Sequence, residues 1–102
     1  MKLLHLTDEQ FKEITGQKEK AVLVDFYADW CMPCRMQGPI VEEIANENDD
    51  IIVGKINVDE YDEAARKYNV QSIPTILIFK NGELVKTFIG VTRKESLLSY
   101  LK

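Results

Sequence analysis

The chain has 102 residues, 45% hydrophobic and 29% charged, an ordinary globular composition with enough apolar content for one core without staples. Seventeen acidic residues against thirteen basic ones give a net charge of −4 with no basic cluster, which argues against nucleic acid as a partner. No segment approaches the ~20 apolar residues of a membrane helix, and the apolar stretch Met1 to Leu6 stops at Thr7-Asp8-Glu9, too early for a signal peptide. A cytoplasmic location is the expectation; a periplasmic form with its signal removed is the alternative.

Residues 2 to 6 read as a short first strand. Thr7 is placed to cap a helix, and Gln10 three residues later completes a capping box. Phe11 and Ile14 share the inner face of that helix until Gly16 ends it. Ala21 to Ala28 is apolar at nearly every position, as in a strand covered on both faces, with Asp25 the one exception. A second helix is expected from about Cys34 to Asn48. It has Met36, Ile40 and Ile44 at helical spacing, Glu42 and Glu43 facing solvent, and a bend at Gly38-Pro39. Ile51 to Val58 forms a third strand, interrupted by Lys55, and Asp59 is placed to cap a short helix through Tyr68. Pro74 opens a strand over Thr75 to Lys80, Asn81-Gly82 signals a two-residue hairpin, and residues 83 to 89 return antiparallel. Thr92 and Glu95 spell a second capping box for a closing helix that carries Leu97, Leu98 and Leu101.

This order, β-α-β-α-β and then α-β-β-α, demands parallel strands joined by crossover helices and an antiparallel far edge. The expected fold class is α/β, a central mixed five-stranded sheet with helices on both faces, and residues 1–102 are expected to form a single domain.

The only two cysteines, Cys31 and Cys34, stand where the second strand hands over to a helix. Backbone N–H groups there lack intrahelical partners and the helix dipole is positive, so a thiolate is stabilised. Pro33 suits the first turn, where its missing N–H costs nothing. A bridge across so few residues removes only roughly 2 kcal/mol of denatured-state entropy, too little for a structural staple. The pair therefore reads as a redox dithiol. Zinc is the competing reading, but it wants four ligands and the chain adds only the distant His5. Cys31, first and outermost, is the expected attacking thiol; Cys34, one turn in and covered by the helix, is the resolving one. Asp25 is either a carboxylate reaching water at a strand end or a buried acid. Burial would raise its pKa toward neutrality and suit it to proton transfer.

The run Trp30-Cys31-Met32-Pro33-Cys34, with Asp25, Lys55, Ile73-Pro74-Thr75, the Asn81-Gly82 turn and Gly90, resembles the thioredoxin family over essentially all of the chain. Met32 stands where that family usually has Gly, Tyr27 where many members have Trp, and Gln37-Gly38 where small apolar residues are common. The resemblance implies a thioredoxin fold with strand order 1-3-2-4-5 and four helices. It implies that Asp25 lies beneath Cys34 and takes its proton, that Lys55 accompanies Asp25, and that Pro74 is cis and faces the dithiol. It also implies a shallow apolar groove of Trp30, Ile73, Gly90 and Val91, beside Met32 and Pro33 of the active-site turn. Pro74 would leave backbone groups there free to pair with a target strand.

The implied activity is that of a protein-disulfide reductase and electron donor, acting as a monomer on disulfide-containing target proteins. A thioredoxin reductase would recycle it. No bound cofactor is required, because the dithiol is itself the redox group. Two alternatives stay open: a more oxidising thiol oxidase or isomerase, and a redox-independent binding module that would tolerate Cys31→Ser.

Overall fold

The long apolar runs become the central strands of one sheet. The structure, a computed structural model, describes residues 2–102; Met1 of the N-terminal apolar stretch lies outside them. The elements are β1 (Leu4–His5), α1 (Asp8–Gly16), β2 (Ala21–Tyr27), α2 (Met32–Glu47), β3 (Ile51–Asn57), α3 (Glu63–Lys67), β4 (Thr75–Lys80), β5 (Glu83–Ile89) and α4 (Lys94–Leu101). The sheet has the order β1-β3-β2-β4-β5. β1, β3 and β2 run parallel, while β4 is antiparallel to β2 and β5 to β4. The expected five-stranded mixed sheet with four helices is therefore present.

Period-two alternation sends β2 residues to two different cores. Val22, Val24 and Phe26 pack with Phe11 of α1 and Ala64 and Ala65 of α3, together with Leu77 and Phe79. Phe11 meets Phe26, Tyr68 and Phe79 edge-on, each at 5.8 Å between ring centroids. Leu23 packs on the opposite face with Val41, Ile44 and Ala45 of α2, Leu97 and Leu101 of α4, and Ile76 and Ile78. Asp25, two residues beyond Leu23, must share that second face, under α2. Its register partner on β3 is Lys55, two residues beyond Val53 of the same core.

Local signals hold where one or two backbone groups settle the matter. The Thr7 side chain accepts from the Gln10 N–H at 3.2 Å and Gln10 Oε1 accepts from the Thr7 N–H at 3.0 Å, completing the capping box. Asn81 (φ 55°) and Gly82 (φ 78°) make the left-handed hairpin turn.

Several expectations need correction. β1 shrinks to two residues, because it pairs only with β3 and both of its side chains stay exposed. α1 does end at Gly16 as expected, but without a left-handed glycine, since the following Gln17 is extended. α2 starts two residues early, at Met32, because Cys31 itself serves as the N-cap. The buried stripe of α2 is Cys34, Gln37, Val41, Ile44 and Ala45, which leaves Met36 exposed. α3 begins at Glu63 with no side-chain bond from its N-cap Asp62; the Ala64 N–H donates instead to Asp8 Oδ1 of α1 at 3.2 Å, while Asp59 accepts from Trp30. α4 is capped at Arg93 without a side-chain bond, so the Thr92–Glu95 box does not form.

Candidate functional site

The dithiol lies just past the C-terminal end of β2, where open α/β sheets place their sites. Cys31 and Cys34 are joined as a disulfide. Cys31 occupies the N-cap of α2 (φ −86°, ψ 111°), and its sulfur accepts the Cys34 N–H at 3.2 Å. A cap residue normally supplies a side-chain oxygen to such an orphan donor; here a sulfur takes that place. Negative charge on Cys31 therefore meets an N–H and the positive end of a 16-residue helix. Whole-residue exposure does not separate the two cysteines as expected. Cys31 is 4% exposed and Cys34 6%, so Cys31 is not the outer one by area. What separates them is position: Cys31 is the cap, facing the Ile73 carbonyl oxygen at 3.7 Å, and Cys34 belongs to the buried stripe of the helix.

Asp25 is 1% exposed, which removes the strand-end alternative. Its Oδ1 has no hydrogen-bond partner. Burial raises its pKa from 3.8 to about 7, against the opposing pull of the Lys55 charge. Lys55 faces Asp25 in register but makes no ion pair with it. The ammonium instead sits 4.1 Å above the Tyr27 ring centroid, a cation–π contact. Tyr27 thus supplies the aromatic shelf at the position where the sequence departs from Trp. A surface cleft of about 340 Å³ is lined by Cys34, Lys55, Tyr27 and Gly38, among others, and joins the second cysteine to the lysine.

The Ile73–Pro74 bond is cis, and Pro74 is buried. The Pro74 carbonyl accepts the Gly90 N–H at 2.9 Å, and Gly90 takes a left-handed φ of 88°. Ile73 packs against Cys31, Cys34 and Ala28. Trp30 is 68% exposed, so it is no core residue, and Met32, Pro33 and Val91 are exposed as well. Of the residues singled out in the sequence, Ile73 packs on the dithiol, Lys55 shares a cleft with Cys34, and Asp25 lies on the sheet face under α2, whereas the Asn81-Gly82 turn sits apart from them, beside Gly16.

Two side chains near the site make contacts that the sequence did not assign to them. Asp59 accepts the Trp30 indole N–H at 2.8 Å, which pins an exposed ring; no local pattern signals that pairing. Gln37, 0% exposed, follows Cys34 by one turn in a stripe that is otherwise Cys, Val, Ile and Ala. A polar residue at core spacing was its signal. Among the described residues, no group of three or more His, Cys, Asp or Glu side chains converges on a metal-sized site.

The thioredoxin family model matches residues 2–102. A thioredoxin of Buchnera aphidicola subsp. Baizongia pistaciae is 46% identical over 100 residues, covering 97% of this chain and 92% of that protein. One from Pyropia yezoensis is 47% identical over 102 residues, covering 99% and 95%. A solved mutant thioredoxin of Halobacterium salinarum superposes with a TM-score of 0.88 at 36% identity, covering 98% of this chain and 88% of that one. A cysteine-capped helix, a buried acid under it and a cis-proline beside it occur here in a sheet of matching order, and on that fold and those relatives this chain belongs to the thioredoxin family.

Proposed function

We propose that residues 1–102 act as one unit that reduces disulfides of target proteins, with the Cys31–Cys34 pair as the electron source. The observation that carries this reading is the bridged pair with Cys31 at the cap of α2, together with a buried carboxyl, Asp25, that lacks a partner at Oδ1. In the reduced protein the Cys31 thiolate attacks one sulfur of a target disulfide. A new S–S bond forms, the target bond breaks, and the departing target thiolate takes a proton from solvent. Cys34 then gives its proton to the Asp25 carboxylate through a bridging water. Its thiolate attacks the Cys31 sulfur and expels the second target thiolate. Two electrons have passed to the target, and the protein is left in the bridged form.

Asp25 suits the proton step because a pKa of about 7 leaves it partly ionised at neutral pH and able to hold what it receives. Lys55 limits how far that pKa rises. Trp30, Met32, Pro33, Ile73, Pro74, Gly90 and Val91 frame the groove a target strand would enter. Ile73 and Val91 support this role, since neither uses its backbone N–H in a hydrogen bond among the described residues. A thioredoxin reductase would return electrons to the bridge, and the protein would work as a monomer in the cytoplasm, because a dithiol donor needs a reducing supply. No helix of the described residues is long and apolar enough to cross a membrane.

The test is insulin reduction with dithiothreitol, joined to target trapping. Cys34→Ser should accumulate mixed disulfides through Cys31, while Cys31→Ser should be inactive and trap little. Equal trapping by both variants would refute the division of roles.

A further inference from the structure

Gln37 is the one polar side chain in the buried stripe of α2, and both ends of its amide are used. Oε1 accepts the Thr92 N–H at 2.7 Å, and Nε2 donates to the Thr92 carbonyl at 3.1 Å. A buried amide thus grips one residue of the β5–α4 loop by both of its backbone groups, across 55 positions of sequence. From there the bonds continue toward the dithiol. The Thr92 hydroxyl donates to the Gly90 carbonyl at 3.1 Å, and the Gly90 N–H donates to the Pro74 carbonyl at 2.9 Å. A continuous path therefore runs from one turn below Cys34, through the loop, to the cis-proline.

The path encloses Val91, which is exposed and leaves its own N–H outside any hydrogen bond among the described residues. No side-chain cap at the start of α4 fixes the loop instead, because Arg93 makes no such bond. A core position filled by an apolar residue would leave the Thr92 N–H and carbonyl to find water.

We infer that Gln37 is a positioning residue for target recognition: it sets the Gly90–Thr92 loop, and hence the free Val91 backbone, against the helix that carries the dithiol. This rests on the reading of that loop as one wall of the target groove. The chemistry at sulfur lies outside the clamp, since the Cys31 cap is made by the Cys34 N–H and not by Gln37. Substrates that need the wall should feel the clamp, and substrates that meet only sulfur should not.

The experiment compares the wild type with Gln37→Met, which keeps length but loses both bonds, and Gln37→Asn, which keeps an amide one methylene too short. Steady-state reduction of insulin is measured beside reduction of the small disulfide 5,5′-dithiobis(2-nitrobenzoate), with the potential of the cysteine pair and Thr92 amide exchange. In both variants KM for insulin should rise about five-fold, equivalent to about 1 kcal/mol of lost target binding. The kcat, the small-disulfide rate and the potential should stay at wild-type values, and Thr92 exchange should quicken. An unchanged insulin KM despite quickened exchange overturns the proposal. So does an equal loss on both substrates, or failure of both variants to fold, which would make Gln37 a support of the fold. A wild type inactive on both substrates overturns the reductase reading itself, and the proposal with it.

Discussion

Replacing Asp25 by Asn makes the state of this carboxyl visible in stability. In the native protein the group titrates at about 7, against 3.8 for the unperturbed side chain. Between those values the folded state holds a proton that the unfolded chain has released, so stability falls as pH rises. The contribution is intact below about pH 4 and lost once pH has passed through 7. At about 1.4 kcal/mol per pH unit, the gap amounts to a penalty on the order of 4 kcal/mol on the ionised native state. Asn is nearly isosteric and cannot ionise, so it escapes that penalty. Asp25→Asn should match the wild type near pH 4, apart from a constant offset, and exceed it by up to ~4 kcal/mol near pH 8.5. Urea unfolding of the bridged protein provides the assay, because neither cysteine titrates in that form. With m of about 1–3 kcal/mol/M, the midpoints should separate by more than about 1 M at the alkaline end. The same variant should slow reductase turnover, most visibly near neutral pH. A stability difference that stays flat from pH 4 to 8.5 would refute the raised pKa, and with it the case for Asp25 as proton acceptor.

Three further outcomes are expected. Lys55→Met removes the one charge that holds the Asp25 pKa down, so the carboxyl carbon of Asp25, followed by NMR, should titrate above the wild-type value; a fall would show that Lys55 does not act on it. Gly90→Ala meets no atom within 4 Å, so its cost is the left-handed backbone alone, about 1–3 kcal/mol in urea unfolding; no measurable loss would contradict the observed φ. Met32→Gly leaves the Cys34 N–H on the Cys31 sulfur, so thiolate absorbance should report a Cys31 pKa moved by less than about one unit, ~1.4 kcal/mol. Rates on two unrelated protein targets should change unequally, because Met32 is an exposed apolar side chain beside the sulfur.

The sequence alone determined whatever depends on near neighbours in the chain. Ala21 to Ala28 read as a strand covered on both faces because the run is apolar at nearly every position, and β2 formed over Ala21–Tyr27. Thr7 with Gln10, and Asn81 with Gly82, act within three residues, and both devices formed as their chemistry requires. The cysteine spacing likewise placed both sulfurs in one turn at a helix start. Tertiary structure decided what depends on partners far along the chain. Thr92 and Asp59 both looked like helix caps. Gln37 took the backbone of Thr92, and Trp30 took the carboxylate of Asp59, because distant donors and acceptors competed successfully for groups with weak local preferences. The buried stripe of α2 turned away from Met36 toward Gln37, since the sheet beneath sets which face of a helix is covered. Strand order and the exposure of Trp30 also come from packing. So does the state of Asp25: the sequence placed an acid in an apolar strand, but only the surrounding fold buried it, left Oδ1 without a hydrogen-bond partner and so raised its pKa against the pull of Lys55.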